Sequence, residues 1–465
     1  MDEKRQRFGS RLGFILLSAG CAIGLGNVYR FPMKVGQNGG GVFVLVYVLC
    51  LILLGLPVMV MEFTVGRAAQ ASPVRVYHKL VPEKKGWRVH GYLSLVANIL
   101  LMMFYTTIAG WIFKYCILSA AGTFQGKDAD GITGVFLHTL GADGGNVWAA
   151  NGMMILFTAI MAVAACFICS FSLQSGLEKV TKYMMLALFV LMVIMAVYGF
   201  TLDGAKEGLS FYLKPDFSKL NGGVVAEAMN QSFFTLSLGI GSMAIFGSYL
   251  GKDRSLTGES ITIIILDTFV AIVAGLIIFP ACFTYGIEPG EGAGLLFMTL
   301  PNVFNGIPGG RIIGVLFFVF MTFAAFSTVL AVYENIIACT SELTNWSRKK
   351  TALIVAIGMI LLNIPFILGN NVWSNFHPFG LEGKDVSDLE DFFVSTLMLP
   401  LGSLTYVLFC TTKFGWGWKN FISEANEGAG VKFPKWFKPY VTFVLPLIII
   451  VVFVLGIISY FGLNK

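Results

Sequence analysis

"GCAIGLGNVYRFP", residues 20–32, interrupts an apolar run that begins at Leu12. Leu12 to Ser18 reads as continuous helix. Then Gly20, Gly24 and Gly26 arrive, with Asn27 and Arg30 close behind. Each glycine inside a helix costs about 1 kcal/mol relative to alanine. At membrane depth a broken helix also frees carbonyl and amide groups, which persist only where protein, water or a ligand satisfies them. Gly20-x-x-x-Gly24 equally fits the small-residue spacing of a close helix contact. This stretch alone leaves both readings open.

The membrane itself follows from composition. The chain is 56% hydrophobic and 12% charged, about half the charge of an ordinary soluble domain. Mean hydropathy is +0.78. Apolar segments long enough to cross roughly 30 Å of hydrocarbon recur throughout. They fall at about 12–36, 42–69, 91–121, 148–171, 183–201, 224–250, 261–286, 312–340, 352–370, 390–412 and 437–463. Helical or uniform apolarity excludes a transmembrane β-barrel, whose segments are short and alternating. Leu12 onward continues into a full span with no small-residue cleavage site, so no cleavable signal peptide is expected.

The net charge of +6 does not point to nucleic acid, because it is distributed by side. With the N-terminus cytoplasmic, about 22 of the 32 Lys and Arg fall on inner segments. These include Arg67 to Arg88, Arg348 to Lys350, and Lys432 to Lys438, a basic face for anionic lipid. The acidic stretch from Glu382 to Asp391 falls outside, and so does Lys465. The eight cysteines lie in apolar segments. Cys166-x-x-Cys169 lacks the second pair or histidine of a zinc site. The four histidines are scattered in loops or at span ends, and no nucleophile–histidine–acid set is recognisable. An enzyme is therefore not expected.

A second interruption decides the first. "QSFFTLSLGIGSM", residues 231–243, carries Thr235, Ser237, Gly239 and Gly241 in the middle of the sixth segment. Segments one and six correspond if ten helices form two five-helix halves. Paired glycine-interrupted spans in corresponding positions mark a transporter's binding site. Half-helix N-termini there face anions, and freed carbonyls face cations.

These stretches, with "NGGG" at 38–41, "MEFTVGR" at 61–67, "FFTLSLGIG" at 233–241 and "FAAFST" at 323–328, resemble the neurotransmitter:sodium symporter family over nearly the whole chain. The bacterial amino-acid transporters are the branch it is most similar to. The resemblance implies an all-α membrane protein of about eleven transmembrane helices, with helices 1 and 6 broken. It implies one transporter domain over 1–465: repeat one at about 10–201, an inverted repeat two at about 224–412, and an extra helix at about 437–463. The activity implied is sodium-coupled symport of an amino acid by alternating access. A proton-coupled relative or a non-transporting amino-acid sensor of the same fold is the alternative.

Site residues carry over where the motifs match. One sodium site is implied at the Ala22 carbonyl, Asn27, Thr235 and Asp267. The other is implied at the Gly20, Ile23 and Ala324 carbonyls with the Ser327 and Thr328 hydroxyls. Such neutral or singly charged oxygens suit a hard monovalent cation, not calcium. The substrate carboxylate is expected at the backbone of Leu25 and Gly26 and at Tyr105. The amine is expected near Ala22, Phe234, Thr235 and Thr328. Monoamine members carry aspartate where this chain has Gly24, so an α-amino acid is implied. The side-chain pocket is expected at Cys21, Leu101, Phe234, Ser237, Ile240 and Val332. This apolar lining points to a neutral, hydrophobic substrate. Arg30 with Asp391 matches the family's outer gate. Arg5 with Glu342, helped by Ser248 and Tyr249, matches the inner one. Glu62 and Glu334 are intramembrane acids expected in a hydrogen-bond network or a proton-linked role. The family often has proline ten residues after Gly176, where span five unwinds. Leu186 stands there instead. Animal members typically have asparagine at Asp267 and serine at Ala271, beside a chloride near residues matching Tyr47 and Gln231. The fixed charge of Asp267 implies that chloride is not needed.

Overall fold

The computed structural model describes residues 7–171, 173–286, 290, 294–305, 309–381 and 383–461. Among these, nine helices are long and apolar enough to cross a membrane. They are Gly41–Ala69, Lys85–Ala121, Val147–Ser170, Gly176–Gly199, Leu256–Tyr285, Gly310–Thr344, Arg348–Gly369, Val386–Thr411 and Lys435–Tyr460. Arg11–Ala22 and Gly26–Gln37 pass the same test together as a pair bent by 50°. The sixth apolar segment forms Gly222–Thr235 and Ser242–Gly247, separated by residues 236–241 and each too short to cross unaided. With the apolar segments numbered as spans in the order the sequence has them, the bent pair is labelled span one, this second pair span six and Lys435–Tyr460 span eleven.

The helix ends follow local chemistry. Ser10 accepts a hydrogen bond from the Gly13 amide at the start of span one, and Asn221 accepts one from Val224 at the start of span six. Asp385 and Asp388 close a capping box ahead of span ten. Both breaks fall where the sequence placed them. In span one, Ile23 leaves the helix with ψ 94°, and the chain resumes as a π turn over Gly26–Arg30. In span six, Ser237, Gly239 and Gly241 all have positive φ, of 49°, 87° and 77°. Glycine takes that conformation without Cβ strain.

Span five is not unwound at Leu186. Lys179–Gly199 is continuous α-helix through Leu186, which is exposed. The irregular turn lies earlier, over Gln174–Glu178. Short helices that were not anticipated join the spans, among them Pro73–Leu80, Ala129–Leu140, Ala205–Leu213 and Trp418–Ala425. The last is pinned to span two by Arg67, whose fully buried guanidinium meets Glu424 at 2.7 Å. The side chains of spans one, six and eight are mostly buried, whereas only 28% of span eleven's apolar window is covered. The broken helices thus sit at the centre, and span eleven lies at the periphery.

Candidate functional site

The two breaks meet. The Gln231 side-chain amide donates to the Gly26 carbonyl at 2.8 Å, tying span six to span one. Tyr105, on span three, accepts from the Leu25 amide at 2.9 Å. Between the breaks lies a cavity of about 20 Å³. Span one lines it with Cys21, Ala22, Gly24 and Gly26, and span three with Leu101 and Tyr105. Span six adds Phe234, Ser237 and Ile240, and span eight adds Thr328. All of these were expected from the sequence. Three expected residues are not on the wall. Leu25 contributes its backbone to Tyr105. Thr235 turns to the Asp267 cluster. Val332 is buried one helical turn beyond Thr328. Two residues complete the wall that the sequence did not suggest, Val394 and Leu399 of span ten.

Beside this cavity are two oxygen clusters. In the first, the Asn27 amide donates to Asp267 Oδ1 at 2.8 Å. The Thr235 hydroxyl lies 3.1 Å from Asn27 Oδ1 and 3.2 Å from Asp267 Oδ1. All three side chains are buried, and Ala22 ends the adjoining half-helix. In the second, Ser327 Oγ lies 3.1 Å from the Ile23 carbonyl and 2.9 Å from that of Ala324. Thr328 Oγ1 is 3.3 Å from the Gly20 carbonyl. Every oxygen in this second cluster is neutral. No group of three or more His, Cys, Asp or Glu converges among the described residues. Oxygen ligands with at most one carboxylate among them suit a singly charged, hard cation.

The cavity is closed toward the face opposite the N-terminus. Arg30 Nη1 meets Asp391 Oδ1 at 3.3 Å and Ser395 Oγ at 3.0 Å, and its guanidinium lies 4.0 Å above the Phe234 ring. Above this lid is a vestibule of about 820 Å³. On the N-terminal face, Arg5 lies outside the described residues. Glu342 accepts from the Ser72 amide at 3.1 Å and the Ser72 hydroxyl at 2.7 Å. Ser248 donates to the Ile245 carbonyl. Tyr249 donates to Glu334 at 2.7 Å, with the Phe8 ring edge-on against it.

By sequence Arg348 reads only as a positive-inside charge, yet it forms a two-pronged ion pair with the fully buried Glu334. With Tyr249, this latches spans six, eight and nine together. A buried acid at Glu334 demanded a cation, and that was the available signal. Removing one partner of a buried pair costs about 3–5 kcal/mol, whereas replacing both with apolar groups is often neutral. Arg348→Met should therefore lower the thermal midpoint sharply, and Arg348→Met with Glu334→Leu should recover most of it. Additive losses in that double-mutant cycle would show that the two side chains act independently.

Glu62 holds the span-six break from the other side, accepting from the Gly239 amide at 2.9 Å and the Met243 amide at 3.0 Å. This is the hydrogen-bond network expected for it. His90, expected at a span end, is buried near the start of span three. Its Nε2 lies 3.2 Å from the Gly239 carbonyl and its Nδ1 2.6 Å from the Tyr77 hydroxyl. A carbonyl only accepts, so Nε2 donates there. With Asn98 on the Ile240 carbonyl at 2.6 Å, the freed backbone of the break is satisfied by side chains of spans two and three.

Two discontinuous helices that meet at a central cavity, with oxygen clusters where they break, are the arrangement of a secondary membrane carrier. The description "Sodium:neurotransmitter symporter family" matches residues 5–128 and 146–464. The chain belongs to that family, which is one of sodium-coupled transporters and not of enzymes. An uncharacterized sodium-dependent transporter of Bacillus subtilis, YhdH, is 34% identical, covering 99% of this chain and all of that one. An uncharacterized sodium-dependent transporter of Haemophilus influenzae is 32% identical, covering 97% of this chain and 98% of its own. The crystal structure of MhsT in complex with L-phenylalanine superposes with a TM-score of 0.86 at 37% identity, covering 97% of this chain and 99% of that one.

Proposed function

We propose that this chain imports a neutral, hydrophobic L-amino acid together with sodium, by alternating access and without chloride. The observation that carries the reading is the makeup of the central cavity. No acid lines it among the described residues, and Gly24 stands beside the Tyr105 hydroxyl. A carboxylate can be received by the Gly26 end of the broken helix and Tyr105, while an amine lacking a carboxylate finds no counter-charge. Cys21, Leu101, Phe234 and Ile240 supply an apolar wall, and the MhsT relative was solved with L-phenylalanine. Asn27, Thr235 and Asp267, with the Ala22 carbonyl, form the first sodium site. Ser327, Thr328 and the Gly20, Ile23 and Ala324 carbonyls form the second.

In this reading the two broken segments are equivalent spans of two inverted repeats, 10–201 and 224–412, with 437–463 outside them. The N-terminus is cytoplasmic and the C-terminus extracellular. Arg30–Asp391 is then the outer gate. Arg5, Glu342, Ser248 and Tyr249 belong to the inner one. A charge crossing 100 mV supplies about 2.3 kcal/mol, and a tenfold gradient about 1.4 kcal/mol. Two sodium ions would thus supply roughly 7 kcal/mol for accumulation.

Uptake of a radiolabelled amino-acid panel into proteoliposomes, with and without sodium, tests the reading. Sodium-independent uptake under a proton gradient would replace it with proton coupling. Binding without flux would replace it with sensing.

Chloride independence is separately testable. Asp267 is a fixed carboxylate 3.5 Å from the Tyr47 hydroxyl, and Ala271 offers no hydroxyl. A second anion buried in that neighbourhood would be repelled at low dielectric. Uptake should be equal in chloride and gluconate for the natural protein. Chloride stimulation should appear only in Asp267→Asn with Ala271→Ser. Loss of natural uptake in gluconate would refute chloride independence.

A further inference from the structure

Span ten is not a regular helix where it passes the central cavity. Phe392–Met398 is a π turn. The amide of Leu399 donates to the carbonyl of Val394, five residues back. In an α-helix two residues five apart point about 140° away from each other. A turn closed by an i→i+5 bond returns them to one face, and such turns recur at functional sites. Val394 and Leu399 are the two span-ten residues on the cavity wall, and both are buried.

Leu399 is also fixed in depth. A Cβ on Gly239 would lie 2.3 Å from the Leu399 carbonyl, and one on Gly402 would lie 2.0 Å from the Gly239 carbonyl. Spans six and ten therefore touch backbone to backbone at two glycines. The Leu399 side chain is held against the cavity by a contact that leaves little room to retreat. The same turn carries Ser395 and follows directly on Asp391, the outer-gate groups: Ser395 donates to Asp391 at 2.6 Å and both meet Arg30.

We propose that Val394 and Leu399 are specificity-determining residues that set the upper limit on substrate side-chain size, and that the π turn is the device that aims both at the substrate. This inference rests on the amino-acid reading above. A regular α-helix would place only one of the two on the wall.

The test compares alanine with phenylalanine in sodium-driven uptake, for the natural protein, Leu399→Ala, Val394→Ala and the milder Leu399→Val. Each methylene of pocket space changes discrimination by about 10- to 200-fold at most. The ratio of kcat/KM for phenylalanine over that for alanine should rise at least tenfold in Leu399→Ala, and less in Val394→Ala and Leu399→Val. Leu401→Ala, an exposed position on the same span, should leave the ratio unchanged. If Leu399→Ala fails to fold, the two milder variants carry the same readout. A ratio within twofold of the natural one in every variant that folds would overturn the proposal, as would an equal shift in Leu401→Ala. Absence of uptake of every amino acid by the natural protein would instead overturn the amino-acid reading on which it rests.

Discussion

Replacing Ser327 and Thr328 together by alanine should abolish sodium-stimulated amino-acid binding while the protein remains folded. The two hydroxyls face the first break of the chain, Ser327 toward the Ile23 carbonyl and Thr328 toward that of Gly20. They are side-chain oxygens in a cluster otherwise built of carbonyls, and both are buried. A contact to a charged partner contributes about 1.5–3 kcal/mol, so losing two should weaken sodium binding by roughly 10²- to 10⁴-fold. Ser327 already has the Ala324 carbonyl of its own helix as a partner. Its removal therefore deletes a hydroxyl without leaving a buried donor, and Ala is a better helix former than Thr or Ser. Sodium titration of the thermal midpoint is the measurement, with Thr328→Val as the variant that keeps volume. Natural sodium affinity in the double variant would remove this cluster from the coupling site.

How far such sites can be read without coordinates depends on how locally they are encoded. The spans were legible because crossing hydrocarbon needs a run of about 20 apolar residues, and that requirement is written contiguously. The breaks were legible because glycine and polar residues inside such a run are costly unless a binding site or a close helix contact uses them. Thr235 meeting Asn27 and Asp267 was legible only through the motifs that carry the family resemblance. Their separation along the chain says nothing about contact. Val394 and Leu399 were not legible. The one signal in "FFVSTLMLP" is Pro400, which has no N–H to give and follows this π turn as Pro32, Pro57 and Pro446 follow theirs, but an α-helical reading that passes over it sends the two side chains to different faces. Arg348 was hidden for another reason. In a basic run before a span, topology accounts for the charge completely, and the buried Glu334 that pairs with it lies on a different helix. The short connecting helices escaped because 8 to 12 residues with polar faces resemble any loop.

Gly24 carries the most severe expectation, because it combines both kinds of constraint. A Cβ there would lie 2.2 Å from Thr328 Oγ1 and 2.4 Å from the Tyr105 hydroxyl, far inside van der Waals contact. Neither group retreats without loss. Thr328 belongs to the second oxygen cluster, and the Tyr105 hydroxyl receives the Leu25 amide. Gly24→Ala should therefore reduce amino-acid binding by at least about 100-fold, the equivalent of a strain near 3 kcal/mol. It should weaken sodium at the Thr328 cluster as well. Gly24→Asp should be worse for an amino acid, because it adds a carboxylate beside the substrate's own, and like charges at low dielectric repel strongly. The two variants separate the causes when a decarboxylated amine is measured beside its parent amino acid. Steric loss alone lowers both ligands equally, as expected for Gly24→Ala. The added charge lowers the amino acid further and restores part of the amine, as expected for Gly24→Asp. Calorimetric binding of phenylalanine and phenethylamine to the three proteins gives the comparison. Natural phenylalanine affinity in Gly24→Ala would mean that the substrate does not bind beside the broken helix at all.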